Sequence, residues 1–173
     1  MAKKIPLTRG LFAIVDDADF KWLSRWKWYA QKRPSQKTQA WLACRCVRTS
    51  RPKRRKTIIF MHQVIFGRVH GYIPDHVNGD TLDNRRRNLR QATQQQNVWN
   101  ARHPRGRSGF IGVSYHASRP SACKWRATIA EAGRNIHLGW FAKAPVAARA
   151  RDVAAVVMRG EFAVLNFPKA DYR

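Results

Sequence analysis

A dense run of polar side chains, DHVNGDTLDNRRRNLRQATQQQN, occupies residues 75–97 and leaves little freedom in local structure. Neighbouring side chains of an extended strand point to opposite faces, so Asp75 and His76 are predicted to lie on opposite faces of a strand. Asn78 and Gly79 follow as a dipeptide that is typical of a tight turn. The sequence therefore predicts a strand that reaches His76 and then reverses direction.

The second half of the same run predicts a strand followed by a helix. Residues 89–92 are a short candidate strand, and Thr93 with Gln96 has the form of a capping box. The helix would start directly after Thr93 and end before Pro104, because proline lacks the amide hydrogen that a helix interior needs. Asn97 would then lie in the first turns, where its side chain can face back across the strands.

The Asp75-His76 pair, Asn88-Leu89 and Asn97 resemble the strand-strand-helix metal motif of HNH nucleases, and the form DHVNGDTLDNRRRNLR is similar to phage and intron-encoded HNH homing endonucleases. The resemblance implies that His76 is the general base and that Asn88 braces the loop that orients it. It also implies that Asp75 and Asn97 ligate a metal ion. Asn stands at position 97 where the family name has His. One carboxylate and one amide oxygen suit a hard cation, most simply Mg²⁺, with Mn²⁺ as the second choice.

A plainer interpretation of these residues stays open. Asp75 and His76 would then be polar residues of a turn or loop, and Asn97 an ordinary residue on a helix surface. Asn78 and Asn84 also compete with Asn88 for the bracing role, although Asn88 directly precedes the second strand. His62 is expected to be a hydrogen-bonded support residue rather than a ligand.

The charge of the chain indicates a polyanionic partner. It has 34 Lys and Arg against 10 Asp and Glu, a formal net charge of +24. Double-stranded DNA fits this charge, and binding to it should depend strongly on salt. The residues indicate neither a small-molecule substrate nor a membrane, since no apolar run approaches the roughly 20 residues of a transmembrane helix. The first six residues have no signal-peptide core, so the protein is expected to be intracellular, in a bacterial or phage-infected cell. The three cysteines lack paired zinc spacing and are expected to be reduced thiols.

Arginines near the run are candidates for contacts with DNA. The segment from Arg48 to Lys56 has no apolar face, so it is either a solvated loop or an arm that grips the DNA backbone. Further arginines lie between His76 and Asn97, where they can clamp phosphates near the cut. The candidates in these two places are Arg51, Arg54, Arg55, Arg85, Arg86, Arg87 and Arg90.

The C-terminal third predicts three strands and one helix. The strands fall near residues 111–116, 125–131 and 136–141, with Ala132-Gly133 as the turn between the last two. A stripe of apolar residues at helical spacing then predicts an amphipathic helix that packs on the sheet through this stripe and ends at Gly160. The stripe consists of Val146, Ala150, Val153 and Val157.

The segments GVSYH, KWRATI, LGWF, AARARDVAA and LNFP resemble the Apetala-type, or ethylene-response-factor, DNA-binding domain, which is also found attached to phage HNH endonucleases. The resemblance implies that the three-stranded sheet enters the major groove. Ser114 and His116 stand where arginines are expected, so the target specificity of the plant domains should not transfer. For Trp125 and Trp140, packing between sheet and helix is as good an interpretation as contact with DNA. The candidate DNA contacts here are Tyr115, Lys124, Trp125, Arg126 and Arg134.

The predicted fold class is α+β, with a central strand-strand-helix motif, an N-terminal α+β extension and a C-terminal three-stranded antiparallel sheet packed on one helix. The predicted domains are an N-terminal DNA-contacting region (1–56), a nuclease core (57–102), a basic linker (103–108) and an Apetala-type domain (109–170). The predicted function is a site-specific, metal-dependent DNA endonuclease of the homing type that acts as a monomer and nicks one strand. The alternative is a sequence-specific DNA-binding regulator whose HNH segment is not catalytic, and a third class is an RNA-binding or packaging protein.

Overall fold

The computed structural model of the chain describes residues 1–32, 40–48, 56–67, 69–101 and 105–172. The chain divides into two compact units, Met1–Asn97 (unit 1) and Val98–Arg173 (unit 2). The division falls inside a helix. The four domains expected from the sequence, with their bounds at 56, 102 and 108, remain predictions.

Unit 1 is built from short strands and short helices. Its strands pair antiparallel: β1 with β2, β3 with β4 and β4 with β5, and β6 with β7. In chain order the elements are β1 (Ala2–Pro6), β2 (Phe12–Asp16), α1 (Asp17–Leu23), β3 (Tyr29–Lys32), β4 (Trp41–Arg48), β5 (Lys56–Phe60), α2 (Met61–Phe66), β6 (Ile73–His76), β7 (Leu89–Ala92) and α3 (Gln94–Asn100).

A hydrophobic core joins the N-terminal and later elements of unit 1. Its buried members come from the N-terminal strands and α1 as well as from α2 and β7, namely Ile5, Ala13, Val15, Leu23, Trp28, Ala43, Met61, Ile65 and Leu89. Burial of apolar side chains is the main favourable term in folding. The N-terminal strands and the β6–β7 hairpin therefore depend on each other for stability.

The capping box predicted at Thr93 is present. The Thr93 amide donates to Gln96 Oε1 at 2.8 Å, and the Gln96 amide donates to Thr93 Oγ1 at 3.2 Å. These two bonds satisfy amides that a helix start would otherwise leave without partners. They fix the point at which α3 leaves β7, and so the position of Asn97 one turn later.

Unit 2 is a three-stranded antiparallel sheet with a helix against it. The elements are β8 (Val113–Tyr115), β9 (Trp125–Glu131), β10 (Arg134–Phe141) and α4 (Ala144–Arg159), and β9 is the central strand. The turn between β9 and β10 falls at Ala132-Gly133, as predicted, with φ of 48° and 76°. Positive φ at both central residues is the geometry of a tight hairpin turn whose twist matches the strands.

The predicted packing face of α4 is wrong. Val146, Val153 and Val157 are 50, 52 and 80% exposed, so the valine stripe faces away from the sheet. The buried residues of α4 are Ala144, Ala147, Ala148, Arg151, Asp152, Ala155 and Arg159. Alanine lets the helix approach the sheet closely. Two of the three buried charged residues form a pair, with Arg151 Nη1 at 3.2 Å from Asp152 Oδ1. The spacing of the valines did not predict which face of α4 packs on the sheet. Alanines form that face because their small side chains allow close packing.

Asp152 joins α4 to the C-terminal segment. Its carboxylate is fully buried and accepts hydrogen bonds from the backbone amides of Asn166 and Phe167 and from the Tyr172 hydroxyl. Asn166 in turn bonds both backbone groups of Ile111. The LNFP segment, residues 165–168, thus links Ile111 at the start of unit 2 to α4.

Two simpler expectations concern cysteines and membranes. Cys44, Cys46 and Cys123 are free thiols. Cys44 is buried, and burial raises the pKa of its thiol. No helix in the described part of the chain combines the length and the apolar character needed to cross a bilayer.

Candidate active site

The β6–β7 hairpin sets the positions of Asp75 and His76. Asp75 is opposite Arg90 and His76 is opposite Leu89 in the strand register. Opposite residues of an antiparallel pair share a face, so Asp75 lies on the face of Arg90 and His76 on the face of the core residue Leu89. Both Asp75 and His76 are 6% exposed. The two neighbours thus have separate environments within one strand.

His76 lies against two polar side chains in the interior. Its Nε2 is 3.4 Å from Asn84 Oδ1, and its ring meets that of His62 nearly edge-on, at a centroid distance of 5.2 Å. His62 also stacks on Phe60, at 5.7 Å. Burial lowers the pKa of His76, while the bond to Asn84 and the carboxylates Asp75, Asp80 and Asp83 act in the opposite direction. The net shift favours a neutral imidazole at pH 7, the form that accepts a proton.

Asn88 closes the loop that follows His76. Its Oδ1 accepts a hydrogen bond from the Asn78 amide at 3.1 Å, and its Nδ2 donates to the Asp83 carbonyl at 2.7 Å. The two ends of the loop are therefore linked through one buried amide. Asn78 makes different contacts, to Asp83 Oδ2 and to the Asp80 amide. Of the three asparagines considered for bracing, Asn88 spans the loop and Asn84 contacts His76.

The loop is also attached to the N-terminal strands. Ile14 of β2 donates its amide to the Leu82 carbonyl at 2.8 Å and accepts from the Asn84 amide at 2.7 Å. Arg86 adds a second attachment, since its guanidinium makes two 2.8 Å bonds to the Asp19 carboxylate. The first 20 residues thus support the loop beside His76, a role that their sequence did not predict.

Asp75 and Asn97 are the candidate metal ligands, and their oxygens suit a hard divalent cation. Among the described residues, no group of three or more His, Cys, Asp or Glu side chains is arranged to hold a metal ion. One carboxylate and one amide oxygen are ligands of the chemical type that Mg²⁺ and Mn²⁺ take. Asp75 already has a cationic neighbour, because Arg90 Nε lies 3.1 Å from its Oδ2. Asn97 is half-buried in α3.

The four arginines of this region differ in their partners. Arg85, Arg86 and Arg90 each form an ion pair within unit 1, to Asp83, Asp19 and Asp75 respectively. Arg87 is exposed and has no carboxylate partner among the described residues. Of these four arginines, Arg87 can therefore bind a phosphate without first breaking an ion pair with a described carboxylate. Arg51, Arg54 and Arg55 lie outside the described residues.

The candidate DNA contacts of unit 2 fall into two groups. Trp125 packs against the core cluster under α4, and its ring lies 4.8 Å from that of Tyr115, which is 53% exposed. Its contacts are those of a packing residue. Lys124 and Arg126 are half-buried, and Arg134 is exposed on β10.

Trp140 has different neighbours from Trp125. Its ring lies 4.9 Å from that of His116 and 5.6 Å from that of His137, and the Arg119 guanidinium stacks over it at 4.1 Å. Arg119 was not among the residues that the sequence singled out. This cluster of aromatic rings and one guanidinium contains groups that can form hydrogen bonds. It lies beside Ser114, whose hydroxyl is 3.1 Å from His116 Nε2.

Comparison with known proteins finds similarity in parts of this chain. Residues 60–99 match the family model described as HNH endonuclease. Two relatives are called APETALA2-like protein 2, from Oryza sativa subsp. indica and subsp. japonica, and each is 39% identical over 72 residues. That alignment covers 41% of this chain and 16% of each rice protein.

A further relative is Protein 3.8 of Escherichia phage T7, which is 35% identical over 65 residues, or 37% of this chain and 51% of the phage protein. The chain thus spans a small part of the rice relatives and about half of the phage relative. The segment 60–99 contains Asp75, His76, Asn88 and Asn97. The match to the HNH endonuclease model therefore includes all four candidate site residues.

Proposed function

We propose that this protein is a site-specific, divalent-metal-dependent DNA endonuclease of the homing type that nicks one strand. The observation that carries the proposal is the environment of His76: a buried imidazole in contact with Asn84 and His62, with a lowered pKa, in a segment that matches HNH endonucleases. A binding protein has no chemical need for such an imidazole. A nuclease needs a neutral base beside the scissile phosphate.

In the proposed mechanism, His76 takes a proton from the water that attacks phosphorus. Asn88 keeps the loop in place through its bonds to Asn78 and Asp83, so that the base does not have to be positioned anew at each encounter. Asp75 and Asn97 would hold one Mg²⁺ or Mn²⁺ ion, which would supply stabilisation of the negative charge that develops on the phosphate. The departing 3′ oxygen takes up a proton from solvent. The products are a 5′-phosphate and a 3′-hydroxyl.

Binding of the duplex is assigned to both units. Arg87 contacts a phosphate near the cut, and the basic segment 48–56 grips the backbone. The sheet of unit 2 is a second DNA-binding surface, with Tyr115, Lys124, Arg126 and Arg134 as contacts and Trp125 as a packing residue beside them. The similarity to APETALA2-like proteins supports this second role. The protein acts as an intracellular monomer, and a double-strand break requires a second event.

A DNA-binding regulator with an inactive HNH segment is the second candidate. Two observations favour it: the similarity to the rice proteins, and the ion pair that Asp75 makes with Arg90. Such a protein would share the salt-dependent binding but would not need His76.

The experiment that separates the two candidates measures binding and cleavage on the same DNA. Fragments from candidate host and phage loci are screened for tight binding, and the bound fragment is incubated with Mg²⁺, with Mn²⁺ and with chelator. A nick at one position that DNA ligase reseals supports the proposal, because ligase needs a 5′-phosphate and a 3′-hydroxyl. A tightly bound fragment that stays intact at every metal concentration supports the regulator.

A further inference from the structure

Asn84 is a fully buried polar side chain in contact with the proposed base. It is 0% exposed, and its Oδ1 lies 3.4 Å from His76 Nε2. A buried amide without hydrogen-bond partners would lower the stability of the fold, so its bonds indicate what holds it. Its Nδ2 donates to the Leu82 carbonyl at 3.1 Å, and its backbone amide donates to the Ile14 carbonyl at 2.7 Å. The side chain is therefore held by its own loop, and the backbone of Asn84 is held by β2.

The bond to Leu82 determines which atom of the amide faces His76. A carbonyl oxygen only accepts, so the group that points at Leu82 must be the NH₂. The group that points at His76 is then the amide oxygen, which also only accepts. A favourable contact between this oxygen and Nε2 requires a hydrogen on Nε2. In neutral His76 the lone pair is then on Nδ1.

We propose that Asn84 is a positioning residue that holds His76 in the Nε2–H tautomer and so makes Nδ1 the nitrogen that accepts the proton. This inference rests on the proposed function of His76. It assigns to Asn84 a task that differs from that of Asn88, whose amide bonds only backbone groups of the loop. Asn88 orders the loop, and Asn84, at the end of that loop, orders the imidazole.

The first test reads the tautomer directly, without any cleavage. Long-range ¹H–¹⁵N spectra of the full-length protein distinguish the protonated from the unprotonated nitrogen of each of its six histidines, and His76→Gln assigns the signals of His76. At pH 8 we expect His76 of the wild type in the Nε2–H form alone, and Asn84→Ala in a mixture of both tautomers. Asn78→Ala serves as the matched control, because it removes loop hydrogen bonds but has no bond to the imidazole. We expect it to keep the single tautomer.

The second test measures cleavage and binding in the same variants. A loss of orientation at the base costs roughly 10- to 100-fold in rate. We therefore expect Asn84→Ala to lower kcat by about that factor, with KM and the Kd for DNA within about 2-fold of the wild type. Asn84→Asp keeps an oxygen opposite Nε2 and should recover part of the loss in kcat, while its second oxygen would face the Leu82 carbonyl and lower stability. The unfolding free energy of both variants is measured beside kcat, so that a loss of folding is separated from a loss of orientation.

The outcomes separate this inference from the proposed function. An Nδ1–H tautomer in the wild type overturns the inference, as does an Asn84→Ala variant with an unchanged tautomer and unchanged kcat. If Asn84→Asp is as slow as Asn84→Ala and both lose stability equally, Asn84 is only structural and the inference is also overturned. Failure of the proposed function has another signature, since His76→Ala would then cleave as fast as the wild type.

Discussion

Asp75 and Arg90 lie directly opposite each other on β6 and β7, with Arg90 Nε 3.1 Å from Asp75 Oδ2. Their side chains are only 7 and 12% exposed. The carboxylate that we assign to metal binding is thus already neutralised by a partner in the same hairpin. This pair links the stability of the site to its proposed chemistry.

Asp75→Asn should abolish metal-dependent cleavage and also lower the stability of unit 1. Removing one member of a buried ion pair leaves the other charge uncompensated, at a cost of about 3–5 kcal/mol. Denaturant unfolding and the nicking assay measure the two effects. The double variant Asp75→Asn with Arg90→Gln should regain stability but not cleavage. Cleavage by the double variant would show that Asp75 is not a metal ligand.

Arg87→Gln should weaken DNA binding and make it less dependent on salt. Each phosphate contact that is lost lowers the slope of log K against log salt by about 1. Arg86→Gln is the matched neighbour, because Arg86 is bound to Asp19. We expect that variant to lose stability and to retain most of the salt slope. Equal slopes for Arg87→Gln and the wild type would remove Arg87 from the DNA contacts.

Acid should destabilise the attachment between the loop and α1. The hydrogen bonds from Arg86 and Arg85 lower the pKa values of Asp19 and Asp83 below the ordinary value near 3.8. The stabilisation is fully present above that ordinary value and is lost as the pH falls through the lowered pKa values. Unfolding free energies measured from pH 6 to pH 2.5 should therefore fall steeply at the acidic end.

The control for this pH dependence is the neighbouring residue on α1. Asp19→Asn should flatten the acidic fall in stability, since its carboxylate is almost completely buried against Arg86. Asp17→Asn should change it little, because the pair of Asp17 with Lys3 is about half exposed. An identical acidic fall in wild type and Asp19→Asn would contradict the assigned role of this ion pair.

The elements predicted correctly are those that local chemistry determines. The capping box of Thr93 and Gln96 involves residues three apart, and the Ala132-Gly133 turn is two residues long, so the signals lie within one stretch of chain. The partners of the arginines are of another kind. Asp19 and Arg86 are 67 residues apart, and no local pattern announces their pairing. Arg86 was therefore predicted to contact DNA on its charge alone.

The contact of Asn84 and the packing face of α4 also depend on tertiary structure, which local sequence patterns do not predict. Three asparagines of the loop have similar sequence contexts, and only the fold reveals that Asn84 contacts the ring of His76. On α4 the apolar stripe at helical spacing was exposed, because alanines contact the sheet and the buried pair of Arg151 and Asp152 contacts the C-terminal segment. Hydrophobic spacing does not detect a helix face that is buried through small residues and satisfied charges.

Asp152→Asn should detach the C-terminal segment, residues 164–172, from α4. The amide would direct a donor at the donors of Asn166 and Tyr172, and a buried unsatisfied group in such a network costs about 1–3 kcal/mol or more. Thermal unfolding and hydrogen exchange of residues 164–172 measure the effect. Asp171→Asn is the control, because its ion pair with Arg149 is partly exposed and is worth about 1 kcal/mol or less. Equal stability of the two variants would contradict the role of Asp152.

The most direct test of the central claim is the conversion of a supercoiled plasmid that carries the bound site to open circles, with wild type and His76→Ala compared at equal DNA occupancy. We expect the wild type to nick the plasmid in Mg²⁺ and not in chelator. We expect His76→Ala to bind equally well but to nick at least about 100-fold more slowly, since general bases contribute roughly 10²–10⁴-fold to the rate. Cleavage by His76→Ala at the rate of the wild type, or no cleavage of a tightly bound site in any divalent metal, would contradict the assignment of His76 as the base of a nuclease.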